Sequence, residues 1–159
     1  MSDSQALDAV VSSPVGRLGI QMQGKALSQL IFLSGRQQLV TPEKGRASGV
    51  LRALQAYFDD PRRVPDVDLQ LSGTPFQCRV WQELCSIPAG ETITYGALAR
   101  RLESSARAVG NACRRNPVPI LVPCHRVVAT QGLRGFAGSR RGRRMRVKRW
   151  LLEHEGVEI

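Results

Sequence analysis

The chain has few of the residues that hold metals or build disulfide frameworks. Its two histidines and four cysteines include no Cys-x-x-Cys pair. Cys78, Cys85, Cys113 and Cys124, with His125 and His154, match no common zinc spacing. Neither a metal nor any other cofactor is expected. No apolar run approaches the roughly 18 residues of a membrane span. The start, MSDSQALDAV, lacks the basic and then apolar stretch of an export signal, which also removes the usual setting for disulfides. A soluble, cytoplasmic protein with free thiols is expected. Cys78 and Cys85 fall in a helical pattern and read as small buried hydrophobes.

Acid is scarce in one stretch. Residues 1–99 hold nine Lys/Arg and nine Asp/Glu, residues 100–149 hold fourteen Lys/Arg against Glu103 alone, and the last ten hold three glutamates and no Lys/Arg. The net charge of +10 is therefore segregated rather than spread. A solvated basic surface would account for part of it; the segregation favours a polyanion face, above all nucleic acid.

Periodicity supplies the elements. SSPVGRLGIQMQGKALSQLIFL (12–33) alternates around Gly24-Lys25 and predicts a β-hairpin. RASGVLRALQAYF (46–58) spaces Val50, Leu51, Leu54, Tyr57 and Phe58 as a helix does. DDPRRVPDVD (59–68) reads as a linker, so that residues 1–68 form a small α/β domain and 69–159 a mainly helical one. Thr74 and Pro75 start a helix with Phe76, Val80, Trp81 and Leu84 on one face. IPAG (87–90) ends it. Thr94 can cap a short helix over 95–102, and Ser104 or Ser105 a second over 106–115. Two short helices, the second bearing arginines, suggest a helix-turn-helix in a winged-helix-like domain.

Pro119 and Pro123 predict an extended segment over 118–124, followed by a glycine-rich loop over 130–146. A last helix from Val147 turns Val147, Trp150 and Leu151 inward and ends near Gly156. The segment VPCHRVV (122–128) sets a thiol beside an imidazole in an apolar frame. On an extended segment neighbouring side chains point to opposite faces, so Cys124 and His125 are poorly placed for a direct hydrogen bond.

PCHRV (123–127), with PFQCRVWQELCSIPAGETITYGALA (75–99), RAVGNACRRNPVPILVPCHRVV (107–128) and KRWLLEHEG (148–156), resembles the O6-alkylguanine-DNA alkyltransferases. That resemblance implies single-turnover transfer of an alkyl group from O6-alkylguanine in double-stranded DNA to Cys124. It implies that His125 acts through a bridging water as the base, that Glu155 orients His125, and that Asn116 braces the turn. Tyr95 would contact the flipped base, and Arg107 would enter the duplex in its place. Ala108 and Gly110 would allow close approach to the minor groove, with Arg114 and Arg126 as further DNA contacts. Cys113 falls where the family lines its alkyl pocket, though a small buried residue is an equal reading. A monomer without membrane contact is expected. The stretch between Phe136 and Lys148 is longer than the family's compact form, and Arg140, Arg141, Arg143 and Arg144 are expected to add phosphate contacts.

Three other readings compete. A lesion-sensing relative would bind without transfer, but such relatives replace the acceptor cysteine. A regulator using the helix-turn-helix alone would leave the Cys-His-Glu set idle. A cysteine hydrolase would need direct contact between thiol and imidazole, which adjacency disfavours.

Overall fold

A computed structural model describes residues 7–42, 46–130 and 142–158. The chain divides into two compact units, Met1–Ser72 and Gly73–Ile159.

In the first unit β1 (Ala9–Val11), β2 (Arg17–Gln23) and β3 (Ala26–Leu33) form an antiparallel sheet in the order β1-β2-β3. The expected hairpin is therefore two strands of three. β1 is too short to show alternation and is buried throughout. Leu18, Ile20 and Met22 alternate inward along β2. Helix α1 (Arg46–Asp59) lies against β2 and β3 and buries Val50, Leu54 and Tyr57. Both sheet edges are occupied: Val10 exchanges backbone hydrogen bonds with Val40, while Leu27 pairs with Asp68 and Gln70. Each contact is a single isolated bridge, at Val10 on one edge and near Leu27 on the other.

The second unit begins where local chemistry dictates. Thr74 accepts from the Gln77 N–H and Gln77 returns a bond to the Thr74 N–H, a capping box that starts α2 (Pro75–Leu84). Val80, Trp81 and Leu84 are buried and Phe76 is half-buried. Cys78 is half-buried and Cys85 exposed, so neither is the core thiol its pattern suggested. Thr94 caps α3 (Tyr95–Arg101), and of the two serines it is Ser105 that caps α4 (Ala106–Arg114). Trp81 Nε1 donates to Ala112 O at 2.9 Å, fastening α2 to α4.

Two expectations are corrected around the cysteine. Residues 118–124 are folded into turns, not extended: the Val122 N–H donates to Val118 O, and Ile120 holds φ +75°. A β-branched residue in that region is strained. The prolines bar a regular helix but not this tight reversal. Cys124–Arg126 then forms one 3-10 turn, and β5 (Val127–Val128) leaves it in parallel pairing with β4 (Ile93–Thr94). The last helix, α5 (Arg143–His154), starts four residues earlier than expected, so Arg143, Arg144 and Arg146 are helical. Trp150 is half-buried and stacked on His154 rather than turned fully inward.

The end of α5 is closed by backbone geometry. Gly156, at φ +85°, donates to Glu153 O, and Val157 donates to Leu152 O. This pair of bonds is a Schellman motif, which needs a residue able to take positive φ. Glu155 is the C-cap. Gly90, also at positive φ, lies against it, since a side-chain carbon there would come within 3.3 Å of Glu155 O.

Candidate active site

Asn116, the residue after the C-cap of α4, builds the turn that carries the thiol. Its Nδ2 donates to Val122 O at 2.8 Å and its Oδ1 accepts from the Val118 N–H at 2.9 Å. One amide thus ties both ends of the reversal that leads into Cys124. Successive residues of a 3-10 turn point about 120° apart, so Cys124 and His125 diverge into different surroundings.

His125 is fully buried, and its Nε2 lies 2.7 Å from Glu155 Oε2. Burial holds the His125 pKa below its ordinary value, with Glu155 pulling the other way. A neutral ring facing a carboxylate must donate, because the carboxylate only accepts. The proton is therefore on Nε2, and Nδ1 is the basic nitrogen. Nδ1 is buried with no hydrogen-bond partner among the described residues.

Glu155 serves a second partner. Arg126 Nε donates to Oε1 at 2.8 Å and Nη2 to Oε2 at 2.9 Å, while Nη1 donates to Ile87 O. This bidentate pairing is the strong form of an ion pair. Arg126, expected on DNA, is only 9 % exposed and fully engaged inside the protein. Its acid is 29 residues away and invisible to any local pattern.

Cys124 is 4 % exposed. Burial raises its thiol pKa, with an Asn116 hydrogen bond and the charges of Lys148 and Arg144 working against that rise. Cys113 on α4 is buried as well and raised by burial and by Cys124. Pairing of β4 with β5 brings Thr94 opposite Val128, and Tyr95 opens the helix that Thr94 caps. Burial raises the Tyr95 phenol too, with the two thiols adding to the shift.

Lys148 completes this group, and sequence reasoning missed it. It is 0 % exposed, donates from Nζ to Val127 O at 2.7 Å, and sits 5.8 Å from the centre of the Tyr95 ring. Burial lowers its pKa to about 8, against the pull of the two thiols. A usable signal was its place between Val147 and Leu151 on an otherwise apolar face.

The model of the 6-O-methylguanine DNA methyltransferase DNA-binding domain matches residues 75–157. The chain belongs to the 6-O-methylguanine DNA methyltransferase family. A methylated-DNA–protein-cysteine methyltransferase of Methanosarcina mazei is 38% identical over 154 residues, 92% of this chain and 94% of that protein. The structure of Mycobacterium tuberculosis OGT in complex with DNA matches with TM-score 0.77 at 41% identity, covering 92% of this chain and 90% of that one. An O6-methylguanine DNA methyltransferase of Methanococcus jannaschii matches with TM-score 0.69 at 26% identity, covering 94% of each chain.

The other residues expected at the site of this methyltransferase lie on α4. Arg107 and Arg114 are exposed, and Ala108 and Gly110 are half-exposed. Arg114 donates to Asn111 Oδ1. Gly110 lies 3.9 Å from the Tyr95 ring, measured from where a side-chain carbon would stand. Phe136, Arg140 and Arg141 lie outside the described residues.

Proposed function

We propose that this methyltransferase repairs DNA by direct reversal, moving the alkyl group of O6-alkylguanine in duplex DNA onto Cys124 once per molecule. The observation that carries this reading is the polarity of His125. Its Nε2 is committed to Glu155, which leaves a buried basic Nδ1 beside the reactive turn.

A water spanning Cys124 Sγ and Nδ1 passes the thiol proton to His125, and Glu155 stabilises the imidazolium that forms. The thiolate, the nucleophilic form, attacks the alkyl carbon as the bond to O6 breaks. Guanine departs with the electron pair and takes up a proton. Tyr95 is held protonated by its buried surroundings, so it can donate a hydrogen bond to the base as that charge develops. The Lys148 ammonium faces the charge on sulfur. A thioether has no good leaving group, so the protein is spent.

Access requires an extruded base, at a cost of a few kcal/mol. Arg107 fills the gap, while the small residues Ala108 and Gly110 let α4 approach the minor groove, where readout is nearly blind to sequence. Arg114 meets phosphate. A DNA substrate fits a cytoplasmic location.

The test is intact-protein and peptide mass spectrometry after mixing with excess duplex containing O6-methylguanine. One methyl group per protein, on Cys124, is expected, and Cys124→Ser should gain none while still binding the duplex. An unchanged wild-type mass with tight binding would replace this reading with a lesion sensor.

A further inference from the structure

We infer that Arg144 is a positioning residue of this site, holding a phosphodiester next to the extruded nucleotide while its base lies against Cys124. The inference rests on the alkyl-transfer reading above and gives the phosphate contact expected of Arg144 a defined place beside the extruded nucleotide.

One face of α5 carries the whole reactive turn. Reading back along the helix, Glu155 holds His125 and Arg126, Leu152 and Leu151 are buried, and Lys148 bonds Val127 O. The next residue on that line is Arg144, one turn beyond Lys148. Residues four apart are about 40° apart around a helix, whereas Arg143, Arg146 and Arg149 lie about 100° or more from Lys148. Side chains on a helix also lean toward its N-terminus, which carries Arg144 past the buried lysine to the rim. There it is exposed, and its charge is the smallest of the influences that lower the Cys124 thiol pKa against burial.

A nucleotide whose O6 reaches a thiol that is 4 % exposed must insert its base and leave its two phosphates outside, because an unpaired anion is not buried. A cation at the rim of the site is what those phosphates meet. The planar fork of arginine suits two phosphate oxygens at once. Lys148 cannot serve, being enclosed and bonded to a carbonyl.

The test is a two-by-two cycle: wild type and Arg144→Ala, each with O6-methylguanine duplex carrying ordinary phosphates or uncharged methylphosphonates on both sides of the lesion. Binding, and alkylation of Cys124 at saturating duplex, are measured for all four. The expected result is roughly tenfold weaker binding from either change alone, the scale of one charge-assisted hydrogen bond. Little further loss is expected when both are combined. Arg144→Lys should recover part of the loss, keeping the charge without the fork. Full additivity of the two changes would overturn the inference. So would unaltered binding by Arg144→Ala, or a slower saturated rate with binding intact, which would make Arg144 a modulator of the thiol. A wild type that alkylates no duplex fails the functional reading itself, a different outcome from any of these.

Discussion

The two ends of the inner face of α5 treat charge in opposite ways. At the Glu155 end every charge is answered: the carboxylate takes both nitrogens of the Arg126 fork and the imidazole of His125. Around Lys148, nearly two turns away, two thiols and a phenol are held toward their neutral forms by burial, and the ammonium donates to a backbone carbonyl and lies over the Tyr95 ring. Ion pairs hold a geometry at one end, while burial holds groups neutral at the other. The ionic end fixes which histidine nitrogen is basic. At the other end, on the proposed mechanism, a thiolate would appear near the Lys148 ammonium.

That contrast can be broken at its strong end first. Glu155→Gln removes the charge that answers a buried guanidinium and leaves one amide oxygen where two carboxylate oxygens served Arg126 and His125. Loss of one partner of such a pair costs about 3–5 kcal/mol, to be read as a lower denaturation midpoint, with slowed transfer to Cys124 in the surviving folded protein. Lys148 sharpens the other end. Unfolded, it keeps its proton to about 10.4; folded, it gives the proton up near pH 8. The unfolded chain therefore binds more protons across that window, so the lysine's contribution makes stability rise with pH there. Lys148→Met should flatten that rise, measured as unfolding free energy against pH. The smallest effect is expected far from both ends, where Thr74→Ala removes the cap of α2 and costs about 1 kcal/mol, with alkylation per folded molecule unchanged.

What could be read from the sequence follows the range of the forces involved. Caps at Thr74, Thr94 and Ser105 act over three residues; the first two were visible before the fold was known and the third was one of two adjacent serines. The motif named Asn116, Tyr95 and Glu155 before the fold was known, and the structure places Asn116 on the turn before Cys124 and Glu155 on His125. The fates of Arg126 and Lys148 were not legible. One is settled by an acid 29 residues along the chain and the other by a carbonyl 21 residues back. Both were counted among the fourteen positive charges of the basic stretch, yet neither faces solvent. β1 escaped notice because three residues are too few for a period, and the turn before Cys124 because its i to i−4 bond forms despite flanking prolines.

Gly156 has no side chain to offer the reaction, yet the reaction leans on it. Helix ends are ordinarily the first backbone to open and the last to close, and Glu155 occupies such an end. Each opening of that final turn would release the carboxylate from His125 and Arg126 together, interrupting the base at the rate the helix frays. Gly156 holds positive φ, and the two bonds that close the helix there return two carbonyls to partners, which would raise the share of time the Glu155 contacts are made. On the proposed single-turnover reading, that fraction would govern the protein's readiness at each encounter with a lesion.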